Sequence, residues 1–404
     1  MTVNYSLETA TAKWNLIFKL GLKWKGSIWK LVLWETLVWL ICTLILMFTF
    51  HFAVVGHPIE KDFKRFADYV TRNDLKVAMA FILAFSSAYC FNRWIDMYGL
   101  LHWPDDVAHS FNATVNDSAL PPAEMLKLRS CVARYLIFGY ILLLRDVSVK
   151  IRKRFPTLEH LTHYGGIITG EEKELLDIGR IGPENPHYWI PFEWIVTVVK
   201  KYYIPEQKEG FITGKARKIK KKQSIMSEKH YTEFVTTLFK LRGHLGDILS
   251  FDWVPMPLAL TQVMTLVIIT CAITQMFQAV HNGFQLGNFF EFSSFVGLFY
   301  TTFQMMIYVG WVKSFQVIEN PFGEDDDDFE VNQLIDRHWQ SLIRLLLDPL
   351  SAPPEIPKKL LSTTVPHTIA SRAFMKGRDT TQMIGSLADA GQLSVPNMLA
   401  GHNL

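Results

Sequence analysis

The chain has 404 residues, of which 49% are hydrophobic and only 20% are charged, and it contains 29 Phe and 12 Trp. This composition and a mean hydropathy of +0.14 are typical of a multi-pass membrane protein with a substantial soluble part. The net charge of +3 is too small to indicate a nucleic-acid-binding protein, so no nucleic-acid partner is expected.

Four apolar segments, taken in chain order, are long enough to span or enter a bilayer. They cover residues 31–55, 77–94, 254–280 and 289–313, and the connections within the first pair and within the second pair are short. The first segment continues for about 25 residues, which is too long for the apolar region of a cleavable signal peptide. We therefore predict an all-α membrane protein with four transmembrane helical segments per subunit.

Basic residues indicate the orientation of these segments. Several lysines between residues 19 and 30 precede the first segment, Arg93 and Lys313 lie at the ends of two others, and the 281–288 loop has no Lys or Arg. The positive-inside rule then places both termini and the 95–252 region in the cytoplasm. Among cellular membranes, the plasma membrane is favoured.

The long region between the second and third apolar segments is predicted to be a cytosolic helical domain, at 101–252. Helical patterns occur at 124–144 and 171–178. Residues 135–144 are strongly apolar but too few to span a bilayer, which favours a buried helix. The basic run at 215–222 (KARKIKKK) is interpreted as a solvated loop, with contact to anionic membrane lipid as the alternative.

A stripe of bulky residues marks the second apolar segment. Val77, Phe81 and Phe85 are spaced four residues apart and share one face of a helix. In a ring of such helices the stripe would form a hydrophobic constriction that gates by dewetting. The alternative, which the sequence leaves open, is that these residues pack in a core or face lipid. Small residues, which let helices approach closely in lipid, occupy the neighbouring face: Ala78, Ala80, Ala84, Ser86, Ser87 and Ala88.

Residues 320–330 (NPFGEDDDDFE) form an acidic stretch shortly after the fourth apolar segment. Ca²⁺, which takes about six to eight oxygen ligands from carboxylates and carbonyls, is the natural ion to neutralise four consecutive aspartates beside a membrane. The spacing of Asp325 and Asp328 puts both on one face if a helix begins here. The alternative is a solvated helix start, in which Asn320 and Pro321 form a turn and the aspartates complement the helix dipole.

Several motifs give the chain a resemblance to the bestrophins, which are Ca²⁺-activated anion channels of animals. The resemblance runs from residue 1 to about residue 347, and its most specific motif is IENPFGEDDDDFE at 318–330. The other motifs that carry it are MTVNYS at 1–6, WKGSIWKLV at 24–32, Arg93 and Trp94 followed by Trp103, Pro104 and Asp105, LLLRDVS at 142–148 followed by KRFP at 153–156, and YVGWVK at 308–313.

The resemblance implies a homopentamer around one axial pore, with Ca²⁺ as a regulatory ligand and chloride and other small anions as the permeant ions. Asp325 and Asp328 would supply carboxylates to Ca²⁺. The backbone carbonyls of Ala10, Val317 and Asn320 would complete the shell, so that the N-terminal segment joins the acidic loop in a clasp.

The resemblance also assigns the pore. Val77, Phe81 and Phe85 would line its neck, and Ca²⁺ occupancy would shift the equilibrium towards an open neck. Family members commonly have Ile and then Pro at the first two neck positions, where this chain has Val77 and Ala78. The constriction is therefore expected to be slightly wider here. A second, cytosolic constriction would fall within 204–227.

The expected organisation follows from these assignments. Its parts are a cytosolic N-terminal segment contributing to the Ca²⁺ clasp (1–30), the first two membrane segments with the pore neck (31–100), the cytosolic helical domain (101–252), the last two membrane segments (253–315), the acidic clasp and C-terminal helix (316–360) and a disordered tail (361–404). Further copies of the chain and membrane lipid are the expected partners.

The function expected from the sequence is thus passive, Ca²⁺-activated conduction of chloride through a hydrophobic neck. One alternative is a non-conducting membrane scaffold or channel regulator, which the large cytosolic region allows. Another is a secondary anion transporter, although the chain has no inverted repeat of the kind usual in transporters. The sequence has no Walker loop, no HExxH motif and no nucleophile–base pair, so an enzyme is not expected. Its four cysteines are predicted to be reduced and buried.

Overall fold

Helices make up all of the regular structure that is described. The computed structural model describes residues 5 and 9 and the ranges 14–73, 76–163, 166–178, 187–203, 224–285 and 292–348, without the side chains of 76–79, 282–285 and 292–294. These ranges contain no β-strand, in agreement with the predicted all-α fold. The helices are α1 (Leu16–Gly21), α2 (Ile28–Thr49), α3 (Ile59–Arg72), α4 (Lys76–Gly99), α5 (Asp105–Thr114), α6 (Pro122–Val147), α7 (Val149–Arg154), α8 (Leu158–His163), α9 (Gly170–Ile178), α10 (Ile190–Lys200), α11 (Glu228–Trp253), α12 (Leu258–Gln285), α13 (Phe292–Glu319) and α14 (Val331–Leu346).

Three of the described helices are long and apolar enough to cross a membrane: Ile28–Val54, Leu258–His281 and Phe295–Glu319. They are α2 with the π-helical turn that continues it, most of α12 and most of α13, and they match the first, third and fourth predicted segments. The second predicted segment forms α4, whose second half carries Arg93 and Asp96, and α4 is not one of the three. A fourth membrane segment therefore stays a prediction.

Helix α13 packs tightly against α2. A Cβ at Gly310 would lie 2.2 Å from Cδ1 of Ile28, so only glycine allows this approach. One turn further along, Lys313 of α13 pairs with Glu35 of α2 at 2.6 Å. The helix continues through Lys313 to Glu319, beyond the end of the apolar segment predicted at residue 313, and Pro321 then prevents it from continuing.

The connection between the first two apolar segments is not a short link, as the sequence interpretation has it, but contains the 14-residue helix α3. Phe63 and Phe66 on one face of α3 contact Phe277 of α12, with ring centroids 5.9 and 5.1 Å apart. The spacing of these aromatic residues is helical, and their packing against α12, which leaves Phe66 half exposed, stabilises a helix that is otherwise rich in charged residues.

The largest hydrophobic core surrounds α6. Leu136 to Ile141, apart from Gly139, are completely buried hydrophobic residues, and residues of α5, α10, α11 and α14 join them. The prediction that 135–144 form a buried helix is confirmed, and the helical patterns at 124–144 and 171–178 correspond to α6 and α9. At Gly139 a Cβ would lie 2.6 Å from the ring of Phe192, so glycine permits the contact between α6 and α10.

All the described helices belong to one compact unit, Met1–Ser351. The basic run at 215–222, most of the 204–227 region and the tail at 361–404 lie outside the described residues, and so does Ala10. The four cysteines are free thiols, as predicted, but Cys42 is exposed on α2 and Cys131 is only partly buried. The prediction that all four are buried is therefore wrong.

Candidate functional site

The acidic stretch forms a compact loop of turns between α13 and α14. Pro321 cannot donate a backbone N–H, so α13 ends before it. The N–H of Phe329 then returns to the carbonyl of Pro321 at 2.8 Å, which closes the loop. Helix α14 begins only at Val331. The alternative in which the aspartates start a helix is therefore wrong, and Asp325 and Asp328 are not brought together by a helical face.

Asp325 and Asp328 instead meet through a hydrogen bond from backbone to side chain. The N–H of Asp325 donates to Oδ2 of Asp328 at 2.6 Å, and Asp328 is only 1% exposed. Burial, together with the carboxylates of Asp325 and Asp327, raises the pKa of Asp328 to about 6, although the Asp325 N–H and the Lys150 ammonium act in the opposite direction. A buried carboxylate among like charges favours a proton or a cation beside it.

Oxygen atoms converge in front of Gly323. The point that a Cβ on Gly323 would occupy lies 2.9 Å from Oδ2 of Asp328 and 3.4 Å from the carbonyl oxygen of Asn320. The carbonyl of Val317, in the last turn of α13, also lacks its usual helical donor, since residue 321 is proline. A carboxylate oxygen and a backbone carbonyl oxygen therefore lie close together here, and both are hard oxygen donors of the kind that Ca²⁺ prefers.

The residues present therefore fit a hard cation, with one qualification about the donor set. Within the described ranges no group of three or more His, Cys, Asp and Glu side chains is arranged to hold a metal ion. A cation at this loop would consequently take backbone carbonyl oxygens, such as that of Asn320, as well as the carboxylates. Asp325 itself is exposed, and its side chain is available to solvent or to a bound ion.

Asp326 ties the loop to the N-terminal part of the chain. Its Oδ2 accepts hydrogen bonds from the backbone N–H of Gly26 at 3.2 Å and from Nζ of Lys30 at 2.6 Å. These two donors, the ammonium first, hold the pKa of Asp326 below its usual range. Sequence reasoning did not single out Asp326. No local pattern pairs Asp326 with Gly26 or Lys30, although both of these residues lie in the WKGSIWKLV motif that carries the resemblance.

Two buried phenylalanines, Phe322 and Phe329, attach the loop to the hydrophobic core. Phe322 and Phe329 are 3% and 4% exposed, and their rings are 5.6 Å apart. Phe329 also contacts Trp94 and Tyr98 of α4, at centroid distances of 5.2 and 5.3 Å. The residue that follows the four aspartates is thus packed on the helix that carries the predicted pore stripe.

The predicted pore stripe points away from the chain's own core. Phe81 is 75% exposed and Phe85 is 70% exposed, whereas Leu83 on the other side of α4 is completely buried against α12 and α13. Packing of the two phenylalanines in the core of the single chain is thereby excluded. The side chain of Val77 lies outside the described residues, so its place in the stripe stays a prediction.

Comparison with known proteins gives one consistent family. Residues 1–348 match the family described as "Bestrophin, RFP-TM, chloride channel". The chain is 30% identical to human Bestrophin-1 over 347 residues, which cover 84% of this chain and 54% of that protein. It is 30% identical to human Bestrophin-3 over 385 residues (93% and 53%) and 29% identical to Bestrophin homolog 24 of Caenorhabditis elegans over 353 residues (86% and 51%).

The fold is also similar to that of a solved structure. A bacterial Bestrophin homolog from Klebsiella pneumoniae superimposes with a TM-score of 0.54 at 13% identity, over 78% of this chain and 98% of that one. The chain spans about half the length of the curated relatives that it matches. Since the family match extends from residue 1 through the acidic loop to the end of α14, the chain belongs to the bestrophin family.

Proposed function

We propose that the chain is a subunit of a Ca²⁺-activated chloride channel in the plasma membrane. The observation that carries the proposal is the contact between the acidic loop and α4: Phe329 follows the four aspartates and packs on Trp94 and Tyr98. The same helix presents Phe81 and Phe85 outwards. A cation-binding loop and a candidate pore wall are thus joined by direct packing.

In this proposal the loop is the calcium sensor. Asp325 and Asp328 give carboxylate oxygens, and Asn320 and Val317 give carbonyl oxygens, with Ala10 as a further backbone donor. When bound, Ca²⁺ supplies the positive charge that offsets repulsion among the neighbouring carboxylates. Lys30 already neutralises Asp326, so the charge left for the ion is concentrated on Asp325, Asp327 and the buried Asp328.

The conducting path would be lined by the stripe of α4. No charged residue lies between Val77 and Phe91, so the neck would be an apolar constriction that is dry when narrow and conducts when it widens. An anion can pass such a neck without a basic side chain, because the edges of aromatic rings carry a positive potential. Weakly hydrated anions would enter more easily, since they lose less hydration free energy.

A pore of this kind requires several copies of α4 around one axis, and we propose a homopentamer in lipid, with both termini cytoplasmic. The exposure of Phe81 and Phe85 in the single chain supports an arrangement in which they face something outside it. Native mass spectrometry tests the stoichiometry: the expected mass is about five times that of the 46.6 kDa chain.

Patch-clamp recording tests the function. Cells expressing the chain are held at near-zero and then at about micromolar free intracellular Ca²⁺, a range typical of calcium sensors, with chloride replaced by gluconate as the control. The expected result is a Ca²⁺-dependent current whose reversal potential follows chloride. Surface protein without any current would favour a scaffold or regulator, and anion flux without unitary events would favour a transporter.

A further inference from the structure

One lysine beside the acidic loop has no polar partner among the described residues. The ammonium nitrogen of Lys150, on α7, is inaccessible to solvent and makes no hydrogen bond. Lysine is among the residues least often buried, because a desolvated ammonium loses its hydration and must be compensated by opposite charge. The arrangement therefore raises the question of which negative charge compensates it.

Helix α7 lies along the acidic loop. Ser148, just before α7, donates its hydroxyl to the carbonyl of Phe322 at 3.0 Å. Towards the other end of the helix, Nζ of Lys153 pairs with Glu324 at 2.5 Å. Lys150 lies between these two contacts and is held beside the loop by both of them.

Among the carboxylates on this side of the loop, Asp328 is buried, whereas Glu324 and Asp325 are exposed. An ammonium that is itself out of solvent acts most strongly on a buried carboxylate, because water does not screen the two charges. In agreement with this, the ammonium lowers the pKa of Asp328. A free anion is not a suitable partner for Lys150, because the surrounding aspartates would repel it. Asp326 has its own cation in Lys30, which is about half exposed, so the two lysines act on different carboxylates.

We propose that Lys150 is a tethered counter-cation of the acidic loop, which offsets the charge of Asp328 when Ca²⁺ is absent and opposes Ca²⁺ when it binds. The Lys150 ammonium cannot move away from the loop into solvent, because α7 is attached to the loop at Ser148 and at Lys153. Its charge therefore remains beside the ion and raises the Ca²⁺ concentration at which the loop is filled. This inference rests on the proposed function of the loop.

The test is equilibrium Ca²⁺ binding to the purified full chain in detergent, by titration calorimetry. Lys150→Met removes the charge and keeps the length of the side chain, and the Kd for Ca²⁺ is expected to fall by roughly three- to tenfold. Lys150→Arg keeps the charge, and its Kd is expected to stay near that of the wild type. At a fixed, sub-saturating Ca²⁺ concentration, the rise in Tm caused by Ca²⁺ is expected to be larger for Lys150→Met.

Lys153→Met is the matched control, since it removes the same charge from the same helix. Its side chain is 66% exposed, so a change in Kd below about twofold is expected. Should Lys150→Met be misfolded, Lys150→Gln replaces it in the same titration.

The outcomes separate the inference from the function on which it rests. An unchanged or weaker Kd in Lys150→Met, with a wild type that binds Ca²⁺, would overturn the role of Lys150 alone. An equal tightening in Lys153→Met would also overturn it, because the effect would then be one of general charge. A wild type that binds no Ca²⁺ would overturn the proposed function, and this inference with it.

Discussion

At the scale of single residues, Asp328 combines deep burial with negative charge. Its Oδ2 accepts the N–H of Asp325 and faces the carbonyl of Asn320 across Gly323. Desolvation makes the ionised carboxylate unfavourable when nothing compensates it, and a cation beside it would reverse that balance. A cation beside this carboxylate would therefore be attracted with little screening by solvent.

We expect Asp328→Asn to raise the half-activating Ca²⁺ concentration by about tenfold or more, because it removes a charged ligand. Current–Ca²⁺ relations in excised patches measure the change. Asp327→Asn is the control, because it removes the same charge from the adjacent residue, which is not proposed as a ligand. Its half-activating Ca²⁺ concentration is expected to shift by less than about threefold. Equal shifts in the two variants would contradict the assignment of Asp328 as a ligand.

The raised pKa of Asp328 predicts a pH dependence. Because its pKa in the folded chain is about 6, the group stabilises the Ca²⁺-free fold below the unfolded pKa near 4, and that contribution is lost as pH rises through about 6. Protons and Ca²⁺ then compete for the same carboxylate. Lowering the pH from about 7.2 to about 5.5 should weaken apparent Ca²⁺ affinity by about fourfold. A similar loss in Asp328→Asn would show that another group is responsible.

At this scale, sequence reasoning anticipated only some of the loop's contacts. Composition selected 320–330, and the helical face expected to join Asp325 and Asp328 is absent, although a backbone hydrogen bond links the two residues. The bond between Gly26 and Asp326 joins residues 300 positions apart, and local pattern carries no information about such a contact. Sites that depend on long-range packing become visible only when the chain is folded.

At the scale of elements, α4 has two different faces. Leu83 packs against Cys271 and Val312, while Phe81 and Phe85 project away from the described part of the chain. Helical period predicted that Phe81 and Phe85 share one face. The small residues predicted to form the close-packing face do not: Ala80, Ala84 and Ala88 are exposed, and the bulky Leu83 makes the contact instead. The same reasoning missed α3, whose aromatic contacts with Phe277 exist only after α12 is in place.

We expect Phe81→Ala, and separately Phe85→Ala, to give chloride current at near-zero Ca²⁺, because removal of a ring lets water remain in the constriction. Whole-cell recording at buffered Ca²⁺ measures this current. Leu83→Ala is the control on the same helix: it creates a cavity that costs about 2–5 kcal/mol of stability, without a leak. Strict Ca²⁺ dependence in both phenylalanine variants would exclude them from the neck.

At the scale of the whole molecule, every described helix lies within the compact unit Met1–Ser351, and the family match covers nearly the same residues. The last of these helices, α14, buries Ile335, Leu342 and Leu346 in the core around α6. This unit therefore contains the loop, the candidate pore helix and the core that connects them.

We expect a chain ending at Ser351 to retain a Ca²⁺-activated chloride current, because it keeps the whole of this unit. Surface biotinylation and patch-clamp recording together measure expression and activity. A chain ending at Glu330 is the comparison, and it should fail to reach the surface, since it lacks the buried residues of α14. A silent but surface-expressed 1–351 chain, beside an active full chain, would mean that later residues are required.

Because Phe329 packs on Trp94, a movement of the acidic loop would tilt α4 about its loop end. From Trp94 to Phe81 the helix runs 13 residues, or about 20 Å at about 1.5 Å per residue. A tilt of about 3° at the loop end would displace the ring of Phe81 by about 1 Å. If several copies of α4 surrounded one axis and all tilted in this way, the diameter of the ring of Phe81 side chains would change by about twice that distance. In the proposed channel, a tilt of this size at the acidic loop would therefore change the diameter of the neck by about 2 Å.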